Sequence, residues 1–417
     1  MSKEVAFVGL GYIGLPTAVV LANSGVDVTG IDVKKENVER INRGEITIVE
    51  PGLEEGLKSA LESGKFRATT EMVHANAYII AVPTPFTDDY NVDMKFIYSV
   101  AESLAPQLKG DELVILESTS PPKTTRRMAE RILSLRPDLI ADGEPNPENK
   151  PVLYFAHCPE RILPGKAMEE LITNDRIIGG ETDEATRRAT EIYASFCTGK
   201  LLPTDAVTAE MAKLTENSFR DVNIAFANEL SLICDNLDIN VWELIELANH
   251  HPRVNILQPG PGVGGHCIAV DPWFIVAADP QNSRLIRTAR EVNDGKPRWV
   301  VDKVAEALSS HQAGAKIATL GMAFKADIDD LRESPALNIT KDLADRFSEC
   351  TILAVEPNVD QLPDDLDDKD NVTLTPYRQA IADADVVVVL VDHQEFKDVS
   401  ATQLKGKTII DTKGLWI

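Results

Sequence analysis

Short, nearly continuous apolar runs alternate with longer amphipathic stretches through the first half of the chain, and the alternation returns near its end. A run that is apolar at every position predicts a strand buried on both faces, as in a parallel sheet covered by helices. Val5–Gly9 (VAFVG) is the first such run. GLGYIG follows at once, and LPTAVVLANSG then predicts a helix closed by Gly25. A second strand, Asp27–Ile31, ends at Asp32. Further strand patterns lie in Ala77–Pro85, Leu113–Pro121, VLYFAHCPERILPG and Arg176–Gly180, before a helix running through Cys197. The polar, proline-rich stretch Pro137–Pro151 predicts a surface loop.

The middle of the chain changes character. Thr208–Asn236 contains neither Gly nor Pro and predicts one long helix. It is apolar over much of its circumference, which suits burial between domains or subunits. Lys213, Asn217 and Arg220 recur at i, i+4 and i+7 and share one face. Val241–Asn249 predicts a second helix, an apolar one begins near Pro272, and a long one spans Asn282 to Ser309. Its Arg284, Arg287 and Arg290 are expected on an exposed or interface face. Four more buried-strand patterns follow, Lys316–Gly321, Thr351–Glu356, Val386–Asp392 and Thr408–Asp411, and the acidic run Asp360–Asp370 reads as a solvated loop. The expected class is α/β: two Rossmann-like parallel-sheet domains, 1–202 and 313–417, joined by a central helical segment, 203–312.

Composition narrows the functions this fold can serve. No uncharged apolar run approaches ~18 residues, so no transmembrane helix is expected. The start, MSKEVAFVGLGYIG, enters a strand pattern at once and is not expected to be a signal peptide. Five cysteines, odd in number and widely spread, suit a reducing cytoplasm rather than a disulfide framework. With 42 basic and 66 acidic residues the formal net charge is −24. That balance argues against nucleic acid and anionic membranes as partners. An anionic substrate would have to find a local island of Lys and Arg.

Three stretches carry chemistry. Gly9, Gly11 and Gly14 form G-x-G-x-x-G between a strand and a helix, and Asp32 follows 18 residues after the last glycine. In that context the glycines let backbone N–H groups and the helix N-terminus meet a pyrophosphate. Asp32 would bind the ribose hydroxyls and repel a 2′-phosphate, which favours NAD over NADP. Thr84, Ser118, Thr119, Glu160 and Arg161 stand at later strand ends, where such sheets hold ligands, and Thr125 opens the next helix. Thr84 and Thr125 could touch the cofactor, but taken singly each suits a cap or turn role better. Gln258–Trp273 (QPGPGVGGHCIAVDPW) is an irregular loop presenting one cysteine, Cys267, a candidate nucleophile, with Asp271 four residues on. His250, His251, His266 and Cys267 fit no zinc-ligand spacing, so no metal is expected. The last sheet carries Lys325, Arg332 and Lys413 at its strand ends but no G-x-G-x-x-G, so it is no obvious second cofactor site.

GLGYIGLP, the PTP of 83–85, ESTS, CPER, EMAKLTENSFRD, GPGVGGHC, AFK and DDLRESP fall in the order seen in the UDP-glucose/GDP-mannose dehydrogenases, which the chain resembles over essentially its whole length. The run Ala209–Val276 resembles the branch of that family acting on UDP-N-acetyl-D-mannosamine. The resemblance implies a four-electron oxidation of the sugar C6 from hydroxyl to carboxylate, two NAD⁺ being reduced. It implies Cys267 as nucleophile and Lys213 as proton donor and acceptor, helped by Asn217, Asp271, Glu160 and Thr119. Gly9, Gly11, Tyr12, Ile13, Gly14, Asp32, Thr84, Thr125 and Arg332 would contact NAD. Arg161, Ile162, Lys213, Asn217, Arg220, Gly264, Phe324, Lys325 and Lys413 would contact the nucleotide sugar. In a homodimer paired through the central segment, His251 and Arg253 would reach the neighbouring subunit's site. The same chemistry on UDP-N-acetylglucosamine or UDP-glucose is the nearest alternative. A non-covalent two-electron dehydrogenase and a catalytically dead NAD-binding regulator are more distant ones. The presence of Cys267, Lys213, Asn217 and Asp271 together argues against the regulator.

Overall fold

The computed structural model describes residues 4–416 except Thr47, Val49, Asp88, Asp89, Leu163, Pro164, His266, Gln312 and Ala313. The chain divides into two compact units, Met1–Glu216 and Asn217–Ile417.

The first unit is built on one sheet. Its described strands are β1 (Glu4–Val8), β2 (Asp27–Ile31), β3 (Phe66–Thr69), β4 (Ala77–Ile80), β5 (Leu113–Leu116), β6 (Ile140–Ala141), β7 (Val152–His157), β8 (Arg176–Gly180) and β9 (Leu201–Asp205). They lie in the order β3-β2-β1-β4-β5-β7-β8-β9, with β6 beside β7. The order reverses between β1 and β4, the crevice where doubly wound sheets bind ligands. β4 and β5 are buried at every position, as their unbroken apolar runs require. The helix Gly14–Asn23 packs its valines and leucines onto this sheet, and the core includes Phe7, Leu15, Val19, Leu21, Ile79 and Ile115.

Several strands escape the periodicity. β3 alternates buried and exposed residues over only four positions, and β9 is mostly exposed, so neither forms an apolar run. β6 occupies part of the expected loop 137–151. β8 runs antiparallel to β7, whereas a parallel sheet was expected. An apolar run such as RIIGG buries equally well in either direction, so its pattern cannot reveal the sense of pairing.

The second unit takes up the chain within the long helix Ala206–Asn236, two residues longer at its start than the pattern predicts. Helices Val241–Asn249, Asp271–Ala278 and Arg284–Leu308 follow. A second sheet comprises β10 (Lys316–Leu320), β11 (Thr351–Val355), β12 (Val372–Leu374), β13 (Val386–Val389) and β14 (Thr408–Asp411), ordered β12-β11-β10-β13-β14. All of its pairs are parallel. Only three residues long, β12 was not predicted, and the acidic run contains a helical turn, Asp364–Asp367.

One expectation for the Arg284–Leu308 helix is overturned. Arg284 is exposed, but Arg290 is 1% exposed. Its Nη1 donates to Asp221 Oδ1 at 2.6 Å, and it also pairs with Asp294. Helical spacing could not show this, because the partner Asp221 comes from the long helix. Removing one member of a buried ion pair leaves the other uncompensated. Arg290→Ala should therefore cost about 3–5 kcal/mol, read as a lower midpoint in urea unfolding. A change under about 1 kcal/mol would show that Asp221 does not need its partner.

Candidate active site

At the end of β1 the three motif glycines play different parts. Gly9 adopts φ +96°, and a Cβ there would lie 2.2 Å from the Ala81 carbonyl oxygen. A Cβ on Gly14 would lie 1.8 Å from the Gly9 carbonyl oxygen. These two glycines are required by the chain itself. Gly11 is different: a Cβ there meets nothing within 4 Å. Its bareness serves no contact within the described protein, and it sits where a helix N-terminus and turn amides can receive a pyrophosphate. Ile13 directly precedes the Gly14–Asn23 helix, and its carbonyl accepts from the Thr17 hydroxyl at 2.9 Å. Asp32 accepts from Leu10 N–H at 3.1 Å and Lys34 N–H at 2.9 Å, so its carboxylate is oriented and still partly exposed. These residues fit a dinucleotide with free ribose hydroxyls.

The hydroxyl of Tyr12 donates to Glu50 at 2.7 Å. Burial, and then this bond, push the phenol up to about 12. Glu50, nearly buried, also accepts from Gly165 and Ala167 N–H groups ahead of the helix Ala167–Thr173. The Thr84 hydroxyl donates to the Thr119 carbonyl at 2.6 Å, tying the ends of β4 and β5 together. Thr125 is wholly buried, and both its N–H and its hydroxyl donate to Glu210 at 2.7 Å. Glu210 also accepts from Lys123 N–H. Desolvation pushes its carboxyl up to about 7, against the pull of those donors. Glu210 lies three residues before Lys213, so it locks the start of the long helix onto the N-terminus of the helix Thr124–Leu135. Glu210 sits inside EMAKLTEN, but nothing local in the sequence shows which helix it caps.

Beyond β7, Glu160 is nearly buried and its Oε2 accepts from Arg176 at 2.6 Å. Arg161 donates to Glu216 at 2.6 Å and to the Asp175 carbonyl. Ile162 packs against the core. Lys213 is half-buried on the long helix, one turn before Asn217.

In the second unit, the cysteine loop is held by its surroundings. Gly260 N–H donates to Asn228 Oδ1 at 2.9 Å, Asn228 donates to Asn293, and Asn293 donates to Asp221, the partner of Arg290. Gly264 lies so close to Glu333 and Pro335 that a Cβ would sit 2.4 Å from the Glu333 carbonyl oxygen. Gly265 takes φ +91° and its N–H donates to the same oxygen at 3.2 Å. Cys267 follows in an exposed turn and forms no disulfide. Its carbonyl accepts from Asp271 N–H at 2.9 Å. Asp271 is 2% exposed and its Oδ2 accepts from Asn217 Nδ2 at 2.6 Å. This bond joins the cysteine turn to the long helix. Arg220, on the same face, is exposed.

At the edge of the second sheet, Phe324 borders Gly265 and its N–H donates to the Asp330 carbonyl at 3.1 Å. Lys325 is exposed. Arg332 is exposed and forms a two-pronged pair with Asp330. Lys413 pairs with Asp392 at 3.0 Å, beside the end of β13. His250, His251 and Arg253 are exposed, and His266 lies outside the described residues.

Three family models cover the chain: the NAD-binding domain of the UDP-glucose/GDP-mannose dehydrogenase family over residues 3–197, its central domain over 207–295 and its UDP-binding domain over 318–416. The chain belongs to this family. It is 54% identical to the UDP-N-acetyl-D-mannosamine dehydrogenase of Escherichia coli (strain K12), over 99% of each chain. It is 51% identical to an NDP-N-acetyl-D-galactosaminuronic acid dehydrogenase of Ralstonia nicotianae, over 99% of this chain and 96% of the other. Among solved structures, the UDP-N-acetyl-mannosamine dehydrogenase of Staphylococcus aureus matches with a TM-score of 0.83 and 42% identity, over 99% of this chain and 95% of the other. The family member described here is thus an NAD-dependent nucleotide-sugar dehydrogenase with two α/β domains, each built on a largely parallel sheet, and a helical middle.

The glycine geometry separates fold from binding. Gly11→Val should leave the thermal midpoint nearly unchanged but weaken NAD binding by at least about 10-fold in calorimetric titration. Gly14→Ala should lower the midpoint itself. Full NAD affinity in Gly11→Val would show that the open space above Gly11 is not the pyrophosphate seat.

Proposed function

We propose that the enzyme oxidises UDP-N-acetyl-D-mannosamine at C6 to UDP-N-acetyl-D-mannosaminuronate through a covalent Cys267 adduct. The observation carrying this reading is the 2.6 Å bond between Asn217 and a buried Asp271, which ties the exposed Cys267 turn to the long helix. The relatives named for N-acetylmannosamine, 54–55% identical over 99% of both chains, support the choice of sugar.

NAD⁺, when bound on the first sheet, would supply the hydride acceptor for each oxidation, one NAD⁺ being reduced per step. Lys213 takes the C6 hydroxyl proton as the alcohol loses its hydride and becomes an aldehyde. The Cys267 thiolate then adds to the aldehyde carbon, because a carbonyl carbon cannot yield a second hydride until a nucleophile has added. The resulting thiohemiacetal loses hydride and leaves a thioester. Water cleaves it, giving the carboxylate and restoring the thiol. Once it has taken that proton, the Lys213 ammonium, with the Asn217 amide, favours the thiolate and stabilises the oxyanions of the later steps. Asp271 and Glu160 activate water or relay protons, and Thr119 assists them.

In this reading residues 1–202 hold the cofactor, with Gly9, Gly11, Tyr12, Ile13, Gly14, Asp32 and Thr84 as contacts and Thr125 and Arg332 completing them. Residues 203–312 carry the nucleophile, and 313–417 bind the UDP. Arg161, Ile162, Arg220, Gly264, Phe324, Lys325 and Lys413 form the substrate contacts and the local positive island that an acidic protein needs for a diphosphate. Phe219, Phe226 and Ile233 recur at seven-residue steps on the long helix and are exposed. Leu247 and Leu285 are 64% and 70% exposed. Such surface favours a homodimer, to whose partner site His251 and Arg253 would reach. Unbridged cysteines suit a cytoplasmic setting.

The Ralstonia relative keeps other N-acetylhexosamines in view, so the decisive assay is a panel. UDP-N-acetylmannosamine should yield about two NADH per sugar and outpace UDP-N-acetylglucosamine, UDP-N-acetylgalactosamine and UDP-glucose by at least about 10-fold in kcat/KM. A faster rate on another of these sugars would reassign the substrate. Cys267→Ser should lose acid formation; undiminished turnover would end the covalent mechanism. Phe226→Glu should yield an inactive monomer by light scattering, and an active monomer would refute the shared site.

A further inference from the structure

Behind Glu160, on the first unit's sheet, one guanidinium serves two buried acids. Arg176, 3% exposed, gives Nη2 to Glu160 Oε2 at 2.6 Å, while its Nη1 lies 3.7 Å from Glu117 Oε1. The guanidinium stacks over the rings of Tyr193 and Phe196, at 5.1 and 5.3 Å, which holds it in place. The side chain of Glu117 is completely buried at the end of β5; Oε1 accepts from the Tyr193 hydroxyl at 3.1 Å, and Oε2 has no hydrogen-bond partner among the described residues.

We propose that Arg176 and Glu117 are positioning residues for the reaction: Arg176 holds the Glu160 carboxylate in place, and Glu117 competes for the same guanidinium once it loses its proton. The proposal rests on the reading that Glu160 takes part in turnover. With both acids ionised, the enclosed cluster would carry one positive and two negative charges, an uncompensated anion in a desolvated place. The acid with the poorer partners, Glu117, therefore keeps its proton. Burial, and next the Glu160 charge, push it up to about 8 despite the pull of Arg176 and Tyr193. The other titratable groups facing it are the Cys158 thiol, pushed up to about 12 by burial, and the Tyr193 phenol, pushed well up by burial; both stay neutral in that range. Below about pH 8 the charge of Arg176 belongs to Glu160 alone. Above it, an ionised Glu117 draws on Nη1 and loosens the grip on Glu160.

The test is the pH profile of kcat from about pH 6 to about pH 10. Wild-type kcat should fall through a limb near pH 8. Glu117→Gln copies the protonated acid but cannot ionise, so that limb should vanish while KM for both substrates stays within about 2-fold. Tyr193→Phe removes a donor that favours the ionised form, so the limb should move to higher pH; this second variant also serves if the first does not fold. Arg176→Lys keeps the charge but loses the fork, and should lower kcat on the order of 10-fold with KM unchanged. A limb unmoved in both Glu117→Gln and Tyr193→Phe, or an unchanged kcat in Arg176→Lys, would overturn the proposal. Glu160→Gln separates the two levels: full turnover there would remove Glu160 from the reaction, whatever the other variants show.

Discussion

A loop of glycine and proline has no side chains with which to hold itself, so the turn presenting Cys267 depends on bonds supplied by its neighbours. The long helix supplies two. Asn228 accepts the Gly260 N–H, and Asn217 donates to Asp271. These asparagines are 11 residues apart, about three helical turns, so they point to the same side. Asn293, Asp221 and Arg290 brace the first tether from below through an unbroken series of buried hydrogen bonds. Glu333 and Pro335 press on the loop so closely that Gly264 admits no side chain. The loop is thus shaped by what surrounds it, and a side chain on such a loop can be placed precisely without any rigidity of its own.

Acids do much of the holding elsewhere, which is unexpected beside a site meant for anions. Glu50 and Glu210 are both buried, and both accept backbone N–H groups at or just before helix starts. Those N–H groups lack intrahelical partners and carry the positive end of the helix dipole. Each carboxylate joins distant segments without placing a positive side chain at the rim. The turn at Gly11 likewise offers backbone N–H groups instead of charge. The large negative net charge and the ability to bind a diphosphate are therefore compatible, because the attraction is local.

Much of the fold was legible along the chain. Val386–Val389 is buried at all four positions as its run of valines demands, and Asp27–Ile31, Val241–Asn249, Arg176–Gly180 and Thr408–Asp411 begin and end where turn chemistry places them. The G-x-G-x-x-G turn and the shared face of Lys213 and Asn217 were also readable, since they depend on spacings of a few residues. These are short-range properties: hydrophobic period, turn preference and the geometry of neighbouring side chains on a helix.

What stayed hidden arises from partners far apart in sequence. Arg290 looked like surface until folding set it against Asp221, 69 residues away. Glu210 meets Thr125 across 85 residues, and Glu117 meets Tyr193 across 76. The antiparallel sense of β8 was likewise invisible, since an apolar run carries no direction. Local pattern determined most of the strands and helices and the spacing of the glycine turn. Tertiary contact alone decided which charges are buried, what compensates them and what holds the cysteine turn, because burial and pairing are properties of the enclosing surface and not of any one stretch of chain.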